Sequence, residues 1–157
     1  MANPVPRVLF LCTGNYYRSR FAEAVFNHAA TEAGSPWRAF SRGLAIHLAP
    51  PGPLSPHTIA ALGQRGIPVS CTAAEPQAVT EADLQQATLT VALKEAEHRP
   101  YLARQFPAWQ DRVEYWHFHD IDFAAPDEVL PAIEVRVRHL VDRLNVTKPA
   151  STSPGSL

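Results

Sequence analysis

An apolar run that leads directly into a polar loop and then into a helix does most to limit the folds open to this chain. Residues 7–11 are RVLFL, and a continuous run of this kind is typical of a strand buried on both faces of a sheet. After the loop CTGNYYRS, apolar residues recur at helical spacing from Phe21 to Ala30, and Gly34 predicts the end of that helix. The segment therefore predicts a strand, a loop and a helix in close succession.

The same alternation continues along the chain. Three further segments have the composition of buried strands, and segments with helical periodicity or capping residues lie between and after them. The predicted strands are residues 37–41, 87–93 and 112–118. The predicted helices include the one that begins at Ser55-Pro56, one near Lys94 that is broken or kinked at Pro100, and the one that carries the stripe from Leu130 to Leu144. Thr80 and Asp83 are predicted to bracket a short turn of the capping-box kind. This order predicts the α/β class, as a three-layer α/β/α fold around a four-stranded parallel sheet.

Composition narrows the organisation and the partners. The chain has 157 residues, of which 46% are hydrophobic, so residues 1–144 are predicted to form a single domain, followed by a disordered tail over residues 145–157. A net charge of −1 argues against a nucleic-acid partner and against an acidic membrane surface. The two cysteines, Cys12 and Cys71, cannot build a disulfide framework, so a cytoplasmic location is expected.

The loop CTGNYYRS has the residue types that a phosphate site needs. Backbone N–H groups between a strand and a helix converge with the positive end of the helix dipole, and Gly14 and Asn15 tolerate the backbone angles of such a nest. Arg18 can grip two oxygens with its planar fork, and these positive surroundings favour the thiolate of Cys12. Ser19 is expected to donate a hydrogen bond to that thiolate. The loop therefore predicts a sulfur nucleophile beneath a bound phosphate.

The pattern Cys-x5-Arg-Ser directly after the first strand resembles the low-molecular-weight protein tyrosine phosphatases. The continuation RSRFAEAVF is similar to the family's Arg-Ser-Pro-Met-Ala-Glu-Ala run, and FSRGL at residues 40–44 resembles its Ser-Ala-Gly-Thr segment. The resemblance covers residues 6–144. It implies a phosphatase that forms a cysteinyl-phosphate intermediate on Cys12 and binds the phosphoryl group with Arg18, with neither a metal nor a cofactor.

The expected substrate is a phosphotyrosine protein or a small aryl phosphate, with inorganic phosphate as the product. The other loop residues are expected to bind it, namely Thr13, Gly14, Asn15, Tyr16, Tyr17 and Ser19. Tyr16 and Tyr17 stand where the family commonly has Ile-Cys, so the loop lacks a second cysteine. Two interpretations of these tyrosines remain open, namely packing against neighbouring loops and stacking on a substrate ring. After the third predicted strand, Leu93-Lys94 replaces the family's Met-Asp.

The segment HFHDIDFAAP stands where the family has an Asp-Pro pair followed by Tyr or Trp, which supplies its general acid. Asp120 comes soonest after the aromatic run and is predicted to be the acid, with Asp122 as the alternative if the loop is two residues longer. His117 and His119 share one face of this extended segment, which raises a metal site as another interpretation. Because the sequence offers no second cluster of ligands, no metal is predicted.

Two other functions remain open at the level of the sequence. A non-catalytic phosphate- or phosphopeptide-binding module on the same fold would also fit the altered acid segment and the Tyr-Tyr loop. An arsenate reductase would need two further cysteines to pass a disulfide along, and only Cys71 remains, so the cysteine count disfavours that reaction.

Overall fold

The structure is a computed structural model that describes residues 5–146. Within these residues four strands and five α-helices follow one another in the order that the sequence predicts, except that α3 is a helix where a short turn is predicted. The strands are β1 (Arg7–Cys12), β2 (Arg38–Gly43), β3 (Leu89–Ala92) and β4 (Glu114–Tyr115). The helices are α1 (Arg18–Glu32), α2 (Pro56–Gln64), α3 (Glu81–Gln86), α4 (Glu95–Gln105) and α5 (Pro126–Val146).

The four strands form one parallel sheet in the order β2–β1–β3–β4. β1 lies inside the sheet and pairs with β2 over its whole length, from Arg7 opposite Arg38 to Cys12 opposite Gly43. The carboxyl ends of parallel strands share one edge of the sheet, and ligands bind at that edge in folds of this kind. The loop after Cys12 therefore lies where a binding site is expected.

Alternate side chains of β1 enter two separate cores. Val8 and Phe10 pack with α1, α2 and α5 on one face, whereas Leu9 and Leu11 pack with α3 and α4 on the other. All four side chains are completely buried. A strand covered on both faces needs apolar residues at every position, which is why the run RVLFL predicted it correctly. The predicted three-layer α/β/α fold with a four-stranded parallel sheet is confirmed.

Two helix starts follow the sequence signals, and one helix continues through a proline without a break. Ser55 caps α2 by accepting a hydrogen bond from the His57 N–H, with proline at the first helical position, and Thr80 and Asp83 form a capping box at α3. The sequence predicts a break or kink at Pro100, but α4 runs through it. A proline removes one backbone donor, and α4 tolerates that loss without ending.

The fourth strand is much shorter than predicted. Residues 112–118 are predicted to be extended, but regular pairing with β3 is limited to Glu114 and Tyr115. The backbone N–H groups of Trp116 and Phe118 still donate to carbonyls at the end of β3, at 2.9 and 2.8 Å, while the chain turns across that end. Beyond Tyr115 the backbone reaches Arg18 at the start of α1, where the Phe118 carbonyl accepts a hydrogen bond from this arginine.

The carboxyl-terminal helix extends slightly past the predicted domain end. α5 continues through residue 146, and the rest of the predicted tail, residues 147–157, lies outside the described residues. The assignment of residues 1–144 to one domain stays a prediction. In the described part of the chain, no helix combines the length and the apolar character that crossing a bilayer requires.

Candidate active site

The loop between β1 and α1 forms an open nest of backbone donors. The N–H groups of residues 14–18 have no hydrogen-bond acceptor within residues 5–146. Asn15 has φ 52°, a left-handed conformation of the kind that turns successive N–H groups toward one side. Because α1 begins at Arg18, the positive end of its dipole lies next to the same loop. Unpaired donors in this arrangement attract a tetrahedral oxyanion.

Gly14 contributes to the nest through its size. Its φ lies outside the left-handed region, in contrast to the angle that the sequence suggested. A Cβ atom at this position would lie 3.0 Å from the Cβ of Ala49 and 3.3 Å from its Cα. Glycine therefore allows the loop that contains Ala49 to approach the nest closely.

Cys12 lies at the end of β1 beneath the nest and is 2% exposed. Its Sγ atom is 2.9 Å from the Oγ atom of Ser19. The Ser19 hydroxyl accepts a hydrogen bond from Nδ2 of Asn15 at 2.9 Å, so its own proton is available to the sulfur. This arrangement suits a thiolate at Cys12.

The side chain of Asn15 supports the loop from within and is 1% exposed. Nδ2 also donates to Oγ of Ser41 at 2.9 Å, and Oδ1 accepts from the backbone N–H of Gln77 at 2.9 Å. Ser41 in turn donates to Oε1 of Glu23 at 2.6 Å. The left-handed turn is therefore held by β2 and by the segment before α3. Only the backbone of Asn15 remains for contact with a ligand.

The guanidinium of Arg18 is 2% exposed, and only part of its donor set is paired. Nη1 and Nη2 donate to the two carboxylate oxygens of Glu97 at 3.1 and 2.7 Å, and Nη1 also donates to the Phe118 carbonyl at 3.0 Å. Nε is buried and has no partner among the described residues. The edge formed by Nε and Nη2 is therefore left for two oxygens of an anion, which is the bidentate grip of a planar guanidinium.

Glu97, in the first turn of α4, connects this arginine to the loop. Its Oε2 accepts a hydrogen bond from Oγ1 of Thr13 and lies 3.2 Å from Nε2 of His98. Burial by itself would raise the pKa of Glu97, but the hydrogen bonds from His98, Arg18 and Thr13 outweigh burial and hold that pKa well below its usual range. Glu97 is therefore ionised at neutral pH.

His98 is completely buried and neutral. Its Nδ1 accepts the backbone N–H of Lys94 at 3.0 Å, so the ring proton is assigned to Nε2, which lies 3.2 Å from Oγ1 of Thr13. Burial lowers the pKa of His98, in spite of the opposite pull of Glu97. The imidazole therefore acts as a fixed donor behind the loop.

The nest opens into a cleft of about 260 Å³. An adjoining groove of about 340 Å³ shares several of its walls and extends them toward α2. The cleft is lined by Cys12, Thr13, Gly14, Tyr16, Tyr17, Arg18, Leu48, Ala49, Pro50, Asp120 and Asp122. All three predicted catalytic residues therefore meet at one cavity. Of the predicted binding residues, Asn15 and Ser19 lie behind its wall.

The two loop tyrosines differ in their surroundings. Tyr16 is partly exposed and donates to the Pro51 carbonyl at 3.3 Å while its side chain lines the cleft, so it packs on a neighbouring loop and also faces ligand space. Tyr17 is 6% exposed, and its hydroxyl has no partner among the described residues. Burial and the charge of Asp120 raise the pKa of Tyr17 to about 12, so this hydroxyl stays protonated.

Asp120 and Asp122 both line the cleft, and Asp120 lies within ion-pair distance of Arg18. Its Oδ2 is 3.8 Å from Nη2 of Arg18, and its Oδ1 accepts the N–H of Ile121 at 2.9 Å. His117 and His119 precede them in the same segment. Within residues 5–146, the structure brings together no group of three or more His, Cys, Asp or Glu side chains that could hold a metal ion.

This fold and site coincide with a known family. The family model of the low molecular weight phosphotyrosine protein phosphatases matches residues 7–148. The chain belongs to this family. The resemblance seen in Cys-x5-Arg-Ser and the following helix is thereby confirmed.

Similar proteins share the phosphatase fold and differ in the substrates that their names give. A protein-arginine-phosphatase of Bacillus subtilis (strain 168) is 31% identical over 106 residues, which cover 68% of this chain and 67% of that protein. A low molecular weight protein tyrosine phosphatase from T. tengcongensis is 30% identical, with a TM-score of 0.70 over 88% of this chain and 97% of its own. YfkJ from Bacillus subtilis has the same fold, with a TM-score of 0.81 at 22% identity over 93% and 98% of the two chains. The chain is a phosphatase of this family.

One central side chain was missing from the predicted site. Glu97 binds Arg18 and Thr13, but it lies 79 residues from the arginine in sequence. Lys94 replaces the aspartate of the family pattern at the end of the third strand, and Glu97 supplies a carboxylate three residues later. An acidic residue in the first turn of the helix that follows a predicted central strand was the available signal.

Proposed function

We propose that this phosphatase hydrolyses phosphotyrosine in proteins, or other aryl phosphates, through a cysteinyl-phosphate intermediate on Cys12. The observation that supports this proposal is the convergence of three features on one cleft. They are the buried sulfur of Cys12, the unpaired N–H groups of residues 14–18 and the unpaired Nε of Arg18. A phosphoryl group above the sulfur would meet donors on its equatorial oxygens, where charge develops during transfer.

In the first step, Sγ of Cys12 attacks the phosphorus atom while the bond from phosphorus to the phenolic oxygen breaks. Arg18 and the loop N–H groups stabilise the charge on the equatorial oxygens. Asp120, in its protonated form, gives its proton to the departing oxygen, so that a neutral phenol leaves. Both aspartates line the cleft, and the 3.8 Å between Oδ2 of Asp120 and Nη2 of Arg18, beside the phosphoryl site, supports Asp120 over Asp122.

In the second step, water attacks the phosphorus atom of the cysteinyl phosphate. The Asp120 carboxylate takes a proton from this water, and the bond between phosphorus and sulfur breaks. Inorganic phosphate is released and the thiolate of Cys12 is restored. Ser19 stabilises the leaving thiolate, since its proton is directed at the sulfur.

The acidic wall of the cleft favours phosphoarginine in proteins as a second substrate class. Asp120 and Asp122 both line this wall, and a guanidinium leaving group carries the positive charge that two carboxylates attract. The similar protein from Bacillus subtilis is a protein-arginine-phosphatase. A phosphotyrosine ring would instead rest against Tyr16 and Leu48, which line the same cleft.

A pair of peptides with the same sequence, one with phosphotyrosine and one with phosphoarginine at the same position, tests the proposal. We expect turnover of the phosphotyrosine peptide with the higher kcat/KM. A higher kcat/KM for the phosphoarginine peptide would transfer the assignment to the second class, and Asp122→Asn should then weaken that preference. Binding of inorganic phosphate without turnover of either peptide would contradict both classes and favour a non-catalytic binding module.

A further inference from the structure

Arg20 lies in the first turn of α1 directly behind the nest, and its side chain is completely buried. The family's run has proline at this position, where this chain has arginine. Its guanidinium donates to four oxygens on three separate segments. Nε donates to Thr72 Oγ1 at 2.6 Å, Nη1 donates to the carbonyls of Asn15 at 3.2 Å and Pro53 at 3.0 Å, and Nη2 donates to the Ala73 carbonyl.

The bond to the Asn15 carbonyl settles the orientation of one peptide group in the nest. In a trans peptide the C=O and the N–H point in opposite directions, and the Asn15–Tyr16 peptide is trans. Because Arg20 holds the Asn15 carbonyl on the buried side, the N–H of Tyr16 faces the other way. That N–H is one of the loop donors with no acceptor in the described part of the chain.

The remaining bonds of Arg20 extend this support to the walls of the cleft. The Pro53 carbonyl belongs to the proline-rich segment whose Pro50 and Ala49 line the cleft. Thr72 and Ala73 belong to the segment before α3. One side chain therefore connects the nest, one wall of the cleft and the segment that leads to α3.

The positive charge of Arg20 also lies directly behind the nest, where an anion is expected to bind. All four acceptors are neutral oxygens, and the neighbouring carboxylate, Glu23, is reached only through Thr72, whose hydroxyl donates to it at 2.7 Å. A buried cation without a direct counter-ion is costly, and an anion in the nest lowers that cost. The charge of Arg20 therefore adds to the affinity for a dianion that the backbone donors and Arg18 already provide.

We infer that Arg20 is a positioning residue for the phosphatase reaction, which orients the Tyr16 N–H toward the phosphoryl group and strengthens the binding of phosphate. The inference rests on the proposed function, because it assigns the nest to phosphate. Because Arg20 acts on the binding of the phosphoryl group, its replacement should slow all substrates by a similar factor. Replacement of a general acid would instead slow most those substrates whose leaving group needs a proton.

The test compares Arg20→Met and Arg20→Lys with the wild-type protein, with inorganic phosphate as a competitive inhibitor. For Arg20→Met we expect the inhibition constant of phosphate to rise roughly tenfold, with kcat reduced by a similar factor for phosphotyrosine and for p-nitrophenyl phosphate. Arg20→Lys keeps the charge with fewer donors, and its phosphate affinity should lie between the two. Arg42→Met is the matched control, because Arg42 pairs with Asp83 at 3.1 Å outside the cleft. Its phosphate affinity should equal that of the wild type.

A folded Arg20→Met variant whose phosphate affinity is within twofold of the wild type would overturn the inference. If Arg20→Met does not fold, the phosphate affinity of Arg20→Lys and the amide spectrum of the wild type test the inference. Saturating phosphate must shift the ¹⁵N–¹H amide signal of Tyr16 in the wild type, and an unmoved signal would overturn the inference as well. Absence of phosphate binding by the wild type would instead overturn the proposed function and the inference together, so the two failures are distinguishable.

Discussion

The phosphate loop (residues 12–19) and the acid segment (residues 117–126, which contain the proposed general acid Asp120) face each other across one cleft, yet their side chains are held to very different degrees. In the loop, Cys12, Arg18 and Ser19 are at most 2% exposed. Cys12 and Ser19 are hydrogen-bonded to each other, and Arg18 donates to Glu97 of α4. In the acid segment, the side chain of Asp120 is 37% exposed and Phe123 is 72% exposed. The carboxylate of Asp120 accepts a hydrogen bond only from the neighbouring backbone, among the described residues.

Under the proposed mechanism, the rigid loop would bind the phosphoryl group and the exposed segment would contact the leaving group. Every substrate presents the same phosphoryl group, so its binding groups can be fixed in advance, and fixed dipoles stabilise charge without reorganisation during the reaction. Leaving groups differ between substrates, and the segment that contacts them is less constrained. Changes in the loop should therefore cause large losses for all substrates, and changes in the acid segment should cause smaller losses that depend on the leaving group.

The largest loss is expected for Cys12→Ser, which removes the nucleophile. Turnover should fall by about 10³-fold or more for every substrate, while phosphate binding remains because the nest and Arg18 are unchanged. Steady-state turnover and inhibition or direct binding by inorganic phosphate measure the two properties. Residual activity of more than a few percent would contradict a cysteinyl-phosphate intermediate on this residue.

Arg18→Lys should cause the second largest loss, a decrease in kcat/KM of about 10²–10³-fold, because an ammonium group cannot bind two phosphoryl oxygens as a guanidinium does. The loss should be similar for phosphotyrosine and for p-nitrophenyl phosphate. Kinetics on both substrates measure it, with Arg42→Lys as a control outside the cleft. Near-normal kinetics of Arg18→Lys would show that this arginine serves the fold and not the phosphate.

Asp120→Asn should slow phosphotyrosine hydrolysis by about 10²-fold, because its leaving oxygen needs a proton. An aryl phosphate with a strongly acidic phenol should be much less affected, since such a phenolate leaves without one. Asp122→Asn is the matched variant two residues away on the same wall. If Asp122→Asn shows the leaving-group dependence instead, the acid is Asp122, and if neither variant does, the acid segment is not the source of the proton.

Glu97→Gln should have a smaller effect on turnover, about tenfold, because it loosens Arg18 without removing it. It should also reduce the free energy of unfolding by about 2–3 kcal/mol at neutral pH. Since the pKa of Glu97 is lowered by folding, its stabilising contribution is complete above the usual glutamate pKa of about 4.5 and is lost as the pH falls below that value. The difference between variant and wild type should therefore shrink on acidification, which denaturant unfolding at several pH values measures.

Glu134→Gln is the control for this last prediction. Glu134 pairs with Arg65 at 2.6 Å and Arg138 at 3.0 Å, and these partners hold its pKa below the usual value in spite of its burial. Its removal should lower stability with the same pH dependence and leave turnover unchanged. An equal loss of turnover in both variants would show that the Glu97 effect is one of stability.

Much of the protein could be predicted from the sequence because the relevant signals are local. The run RVLFL, the loop CTGNYYRS and the periodic helix after it lie within about thirty residues, and local hydrogen bonding and burial decide their conformations. Cys12, Arg18 and Ser19 share one loop, so their proximity follows from the strand–loop–helix unit itself. The family pattern lies in the same stretch, which is why both the fold class and the family were predicted correctly.

The support of that loop was decided by tertiary structure. Ser41, Glu97 and Thr72 reach the site from β2, α4 and the segment before α3, and no local pattern relates residues that are 26 to 79 positions apart. The course of the chain after β4 has the same origin, because Phe118 donates its N–H to the Leu93 carbonyl and accepts a hydrogen bond from Arg18, which is 100 residues away in sequence. Which aspartate lies nearer to Arg18 depends on that course as well. Long-range packing sets these positions because the free energy of each contact depends on where the whole chain brings its partners.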